Sequence, residues 1–278
     1  MEQQTNPLAG HFRQAALHLP LPSGGQWWPD GTLNLGVTGE LAVLPMTAKD
    51  EITLKTPDAL LNGSAIVEVI KSCVPGILDP WAIPSVDIDN VLIAIRIASY
   101  GEMMDVNSVC PHCKEKNEFQ TDLRALIDQP RMPDFNTPVV VNGMSIQLHP
   151  YSYAHINRQN LRNFEEQRAL AIVQSSELSD EEKLTQFGES LKKLTQYTVE
   201  AITAAVTSIT LDEGTVVTDR GFLDEFFNNC DRNIVKAVRT RLDDIAATIK
   251  IAPLKGECTE CHKEYSTELE FDQAHFFV

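Results

Sequence analysis

Two short segments of the chain could do chemistry: Cys110-Pro111-His112-Cys113 and Cys258-Thr259-Glu260-Cys261. The spacing lets both thiols of a segment point from one tight turn at a single point. Two such turns supply the four sulfurs of a closed tetrahedral site, with metal–sulfur distances of about 2.3 Å. Each segment is followed by a polar stretch and a strand-like run, Lys114 to Leu123 after the first and His262 to Phe271 after the second. The matched pair predicts a zinc ribbon assembled from distant halves, with one structural Zn2+ on Cys110, Cys113, Cys258 and Cys261. An iron–sulfur cluster or a redox dithiol is the alternative chemistry for the same residues. A redox pair, however, favours one Cys-x-x-Cys at a helix start in a thioredoxin-like order of elements, which this chain lacks. A catalytic zinc keeps an open position and usually takes His or carboxylate ligands, whereas four thiolates close the shell. His112 and His262 lie in or beside the knuckles, and the simpler reading leaves both outside the ligand set.

Positioning these cysteines requires a folded core, and 278 residues with 43% hydrophobic content are ample for one large domain or two small ones. Six cysteines would allow three disulfides. The lack of an export signal and the pairing of four of them fit a reducing compartment better. Cys73 and Cys230 follow apolar residues and read as buried thiols. Nothing near Met1 has a basic flank before an apolar stretch, and no apolar run approaches the roughly 18 residues that span a bilayer. The expectation is therefore a protein neither secreted by that route nor membrane-spanning. A formal charge of -16 disfavours a nucleic-acid binder, which needs clustered Lys and Arg. Lys114, Lys116, Lys250, Lys255 and Lys263 do gather near the knuckles, but Glu115, Glu118, Glu257, Glu260 and Glu264 offset them.

The elements predicted around the knuckles are mixed. Alternating Leu33, Leu35 and Val37, then Leu41 and Val43, read as a hairpin turning at Thr38-Gly39. Thr47 stands three residues before Asp50 as a helix-start signal, Ser64 is placed to cap a helix to Cys73, and Asp87 or Asp89 to cap another to Tyr100, stopped by Gly101. Period-two residues lead into and out of Cys110–Cys113. Asn142-Gly143 between Val139 and Ile146 is a strong hairpin signal. From Tyr151 the chain turns helical. Ser179 to Glu182 is a capping box before Leu184, Phe187, Leu191, Leu194, Ile202, Val206 and Ile209, read as one amphipathic helix with its stripe in the protein's own core. Asp231 caps a last helix to Ile249. The expected class is α+β. Residues 1–102 form an N-terminal hairpin and helices, 103–130 with 250–278 a zinc-ribbon-like module, and 131–249 a hairpin plus helical insertion.

No enzyme emerges from the remaining residues. Gly24-Gly25 sits in a Pro-rich segment rather than between a strand and a Lys-bearing helix, and no nucleophile elbow occurs. His149 and His155 do not have zincin spacing and read as packing at a strand-to-helix junction. Asp79, Asp87 and Asp89 lack the Gly and distal Glu of a calcium loop. The chain reads as a binding protein, with Trp27-Trp28 and Phe276-Phe277-Val278 as candidate contacts or as packing.

An ordered series of segments carries a family likeness: Leu19-Pro20-Leu21-Pro22-Ser23-Gly24-Gly25, Leu44-Pro45-Met46-Thr47-Ala48-Lys49-Asp50-Glu51, Leu60-Leu61-Asn62-Gly63-Ser64-Ala65-Ile66, and Ala98-Ser99-Tyr100-Gly101 before Cys110-Pro111-His112-Cys113. Together these resemble the T-even-type baseplate hub proteins of contractile-tailed bacteriophages, mainly over residues 17 to 123. The resemblance implies a non-enzymatic part of a phage tail baseplate, made in the host cytoplasm and carried in the virion. Its partners would be other hub and wedge proteins and the tape-measure protein, with no membrane. An assembly chaperone that leaves the finished particle is the alternative. A zinc-ribbon nucleic-acid binder is the reading from a different class.

Overall fold

The computed structural model describes residues 7–56, 63–129, 132–175, 179–267 and 276–277. Two compact units are present: Met1–Pro80, Asp87–Pro130 and Ile251–Val278 in the first, Trp81–Val86 and Arg131–Lys250 in the second. Both combine helices with small antiparallel sheets, which is the α+β class the sequence predicts. Leu60–Asn62, Phe271 and Val278, named in the sequence reading, lie outside the described residues.

In the first unit, strand β1 (Leu17–Leu19) pairs antiparallel with β2 (Leu41–Val43). Each strand buries its outer residues and exposes its middle one, so Leu17, Leu19, Leu41 and Val43 share one buried face. The hairpin expected between Leu33–Val37 and Leu41–Val43 does not form. Its turn exists, with the Gly39 N–H donating to Gly36 O at 2.9 Å, but the preceding backbone bonds elsewhere. Asn34 N–H donates to Gly76 O at 2.7 Å, and the Leu78 and Asp79 N–H groups both donate to Thr32 O. Val37 is fully exposed, so the alternation there has no buried face to fix a strand. Gly76 is required at this crossing, because a Cβ would stand 2.6 Å from Leu41 Cδ2 and 2.7 Å from Asn34 O.

Helix α1 (Ala48–Leu54) starts as predicted, in a capping box between Thr47 and Asp50. Asp50 also pairs with Arg13 at 3.5 Å and accepts from Ser72 Oγ at 3.0 Å. The Arg13 guanidinium further donates to Pro45 O and Ser72 O, clamping the entry segment to these helices. Helix α2 (Ser64–Cys73) begins one residue earlier than Ser64 capping would require: Gly63, at φ 75°, holds the cap position. Cys73 is fully buried as expected, and burial pushes its thiol up to about 11. Helix α3 (Ile88–Tyr100) is buried on most faces, from Ile88 through Val91, Leu92, Ile93, Ala94 and Ile95 to Ile97, as a central core helix must be.

Asp87 precedes α3 but does not cap it. Its carboxylate accepts from Ser23 N–H at 2.9 Å, Ser23 Oγ at 2.6 Å and Trp28 Nε1 at 2.8 Å. This buried fork holds the Pro/Gly-rich entry segment on the core and leaves Trp27 and Trp28 half-buried rather than as free anchors. Strands β3 (Met103–Val109) and β4 (Lys116–Asp122) follow as a hairpin in continuous register, and α4 (Leu123–Ile127) is capped by Asp122.

The second unit centres on a sheet of order β5-β6-β7-β8. Strands β5 (Val139–Val141) and β6 (Met144–Leu148) are joined at Asn142-Gly143, both with positive φ, as a two-residue turn demands. Helix α5 (Tyr153–Ser175) packs along α6 (Asp180–Ala204), whose capping box joins Ser179 and Glu182 as predicted. Arg162–Glu200 at 2.8 Å and Lys193–Glu166 at 3.3 Å cross between the two helices.

The predicted run through Val206 and Ile209 is not helical. The chain leaves α6 at Ala205, and β7 (Val206–Leu211) enters the sheet between β6 and β8 (Val216–Val217). A β-branched, threonine-rich segment suits that pleated surface better than a helix end. Helix α7 (Arg220–Asn229), not anticipated, and α8 (Arg232–Ile249), capped by Asp231, complete the unit. Cys230, expected to be buried, is half-buried. His155 stacks on Tyr151 at 5.0 Å, which is the packing role expected at this junction.

The stripe of α6 is not all core. Leu184, Phe187 and Leu191 are 73%, 42% and 47% exposed. α5 and α6 meet through the side carrying Lys193 and Glu200, leaving this apolar seam outside.

Back in the first unit, β9 (Leu254–Glu257) and β10 (Glu264–Thr267) form a last hairpin. Phe276 and Phe277 are buried, edge to face, with the Phe276 carbonyl accepting from Arg96 Nε at 3.1 Å. The terminal aromatics thus pack inward. No helix among the described residues is long and apolar enough to cross a membrane.

Candidate metal centre

The four knuckle cysteines sit in the turns of the two hairpins of the first unit, β3-β4 and β9-β10. Their backbones match residue by residue. Cys110 N–H donates to Glu115 O and Lys114 N–H to Cys110 O, while Cys258 N–H donates to Lys263 O and His262 N–H to Cys258 O. Lys114 and His262 both take positive φ, 67° and 54°, to close these turns. The sequence repeat is therefore a structural repeat, in which each tight turn folds so that its two sulfurs leave on the same side.

All four sulfurs lie within 4.8 Å of one another. Cys110 Sγ stands 3.7 Å from Cys261 Sγ, and Cys113 Sγ 3.5 Å from Cys258 Sγ. Four thiolates around one ion at about 2.3 Å would stand about 3.8 Å apart at tetrahedral angles. A disulfide needs about 2.05 Å, and all six cysteines are free. A multi-iron cluster places its own atoms between the cysteines and needs a wider cage. The spacing suits a single ion, and these four residues could hold one.

The surroundings suit thiolates as well. Cys110 and Cys258 are fully buried, Cys261 is half-buried and Cys113 is exposed, so one side of the site faces solvent. For Cys110, burial raises the thiol, but the backbone N–H groups of Cys113 and His112 outweigh it and the net direction is down. The Cys261 N–H leads the groups that lower Cys258, against burial, to about 6. Cys113 accepts from the Glu115 N–H, which favours its thiolate, yet the sulfurs of Cys258, Cys261 and Cys110 push it up to about 12. Four thiols this close cannot all ionise alone; a divalent cation is what would let them. His112 and His262 stay outside the sulfur cluster, His262 facing Glu257 at 3.4 Å.

Residues outside the Cys-x-x-Cys pattern join the hairpins. Asn117 on β4 bonds to the second knuckle through Thr259, and Tyr265 on β10 shares a 2.5 Å hydrogen bond with Ser108 on β3. The Phe119 ring lies against Gly256, where a Cβ would meet it at 3.4 Å. Sequence reasoning missed these residues. The available signal was that Asn117 and Tyr265 follow their knuckles at the same distance.

A family model described as "T4 bacteriophage base plate protein" matches residues 20–278, taking in both knuckles and both units. The chain belongs to that family. No curated protein and no solved structure matches it. As a T4-type base plate protein it has a place in the phage tail and other tail proteins as its neighbours, and the family suggests a structural rather than an enzymatic role. Within this base plate chain the cysteine cluster brings a hairpin near residue 110 against one near residue 260.

Proposed function

We propose that this base plate protein is a non-enzymatic structural component of the tail hub or of its assembly. In this reading it binds neighbouring hub and wedge proteins, and one structural Zn2+ on Cys110, Cys113, Cys258 and Cys261 staples its C-terminal hairpin to its middle. The observation that carries the staple is the convergence of four sulfurs from two distant hairpins at the spacing of a single tetrahedral ion. Zinc is the ion best suited to four thiolates in a closed shell without redox chemistry. The ribbon, 103–130 with 250–278, is then one module, with 1–102 and 131–249 as the regions around it. The hub assignment rests on the sequence likeness over residues 17 to 123. Lysines at the knuckles alternate with glutamates, which disfavours nucleic acid as a partner.

The test is protein mass spectrometry of purified phage particles and of tail intermediates. The chain at fixed stoichiometry in finished base plates is the expected result. Presence in intermediates alone would replace it with the assembly-chaperone reading.

One observation favours that second reading. Leu184, Phe187 and Leu191 recur at the three- and four-residue steps of a coiled-coil seam and face outward. Such a seam suits an amphipathic helix, as a tape-measure protein would supply. Leu184→Glu/Leu191→Glu is expected to abolish co-purification of that helical tail partner. Stability should change by no more than about 0.5 kcal/mol per site, since both residues are exposed. Unchanged co-purification would remove the seam from the interface.

A further inference from the structure

Beside the four sulfurs, a buried amide donates to one of them. Asn117 is 5% exposed on β4, just beyond the first knuckle. Its Nδ2 donates to Glu115 O at 3.0 Å and to Cys258 Sγ at 3.6 Å. Its Oδ1 accepts from Thr259 N–H at 2.8 Å and from Thr259 Oγ1 at 3.0 Å. The amide cannot be turned round. A backbone N–H only donates and a backbone carbonyl only accepts, so Thr259 fixes the oxygen, Glu115 fixes the nitrogen, and an N–H is left facing the sulfur.

The matching position in the other hairpin does a different job. Tyr265 follows the second knuckle as Asn117 follows the first, and it too reaches across, but to Ser108 rather than to a thiol. The fold repeats, yet Asn117 gives Cys258 a side-chain N–H donor for which Tyr265 supplies no counterpart. An N–H held against a thiolate withdraws charge from it, weakening its push onto a metal and stabilising a site that concentrates four negative sulfurs.

We propose that Asn117 is a positioning residue of the metal centre, its N–H tempering the Cys258 thiolate while its carbonyl fixes the turn that carries it. The inference rests on the four-thiolate reading above and assigns the first hairpin control over a ligand of the second. Asn117→Asp separates the two jobs, because a carboxylate still accepts from Thr259 but offers the sulfur no donor. Asn117→Ala removes both, and Thr259→Val removes only the hydroxyl contact.

Cobalt(II) loaded into the purified full chain reports on the sulfurs directly through sulfur-to-cobalt charge transfer. The expected result is a charge-transfer band moved to lower energy in Asn117→Asp and Asn117→Ala and unmoved in Thr259→Val. Competition with a chelator should show a loss of roughly 10–100-fold in metal affinity for both Asn117 variants. Weaker binding with the band at its wild-type energy in both would reduce Asn117 to a scaffold residue and overturn the proposal. Should Asn117→Asp fail to fold, Asn117→Ala, which also leaves the sulfur without a donor, carries the reading of the band. A wild-type chain that takes up no cobalt would instead overturn the four-thiolate site itself, an outcome distinct from an unmoved band.

Discussion

Cys258→Ser/Cys261→Ser is expected to leave the chain without bound metal and to open its last hairpin to protease, with cleavage between Lys255 and Thr267 while residues 17–56 and 63–100 stay resistant. The β9-β10 hairpin is only two short strands, marginal on its own in water. What joins it to β3-β4 is the sulfur cluster, the Asn117 fork, the Ser108–Tyr265 bond and the Phe119–Gly256 contact. Structural zinc in small domains contributes on the order of 10 kcal/mol at neutral pH. Loss of even about 3 kcal/mol of local stability raises the open population more than about 100-fold. Amide exchange in β9 and β10 should accelerate by at least that factor, with Leu41–Val43 unchanged. The effect should stay local, because Phe276 and Phe277 remain buried and Arg96 still holds the Phe276 carbonyl. Equal protection of β9 and β10 in variant and wild type would show that the metal is not the staple. Acid should mimic the substitution, since protons compete with the metal for all four thiolates.

Asp87→Ala should cost about 4 kcal/mol in urea unfolding at neutral pH, the largest effect expected of a residue outside the knuckles. The carboxylate is fully buried and receives three donors from Ser23 and Trp28; truncation strands all of them. Each buried donor left unpaired costs about 1–3 kcal/mol. Burial raises the Asp87 pKa against the lowering effect of the Ser23 and Trp28 bonds, so the folded state holds this proton more tightly than the unfolded chain does. The contribution from this group is fully present below its unfolded pKa and is lost as pH rises through the higher folded value. Asp87→Ala should therefore flatten the pH dependence of stability just above the ordinary carboxylate range while lowering stability throughout. A change below about 1 kcal/mol would mean that the entry segment is held by other contacts.

Asp87 also marks the limit of what local sequence can tell. An aspartate before a helix reads as a cap, and nothing within a few residues corrects that reading, because its donors lie far back at Ser23 and Trp28. The same limit hid the pairing of Leu41–Val43 with Leu17–Leu19, since a closer alternating segment offered a shorter loop. Signals enclosed in one turn did survive: Thr47 with Asp50, Ser179 with Glu182, Asp231, and Asn142-Gly143 all do in the structure what their chemistry requires. Val206 and Ile209 show how helical spacing can run by accident into a strand, where β-branched content was the better guide. The cysteines were legible because two knuckles of one spacing form a pattern that needs no knowledge of the chain between them. Asn117 was not, because its role is set by Thr259 in the other knuckle. The exposed seam of α6 was hidden for a related reason: periodicity finds an apolar face but not what covers it.

Elemental mass spectrometry of the 278-residue chain purified without added metal, beside Cys258→Ser/Cys261→Ser, counts the ion that the four cysteines would hold. One zinc per chain in the wild type and none in the variant is the predicted result. Iron in place of zinc, or a metal-free wild type with its knuckle cysteines oxidised to disulfides, would contradict the structural-zinc account and return the site to redox chemistry.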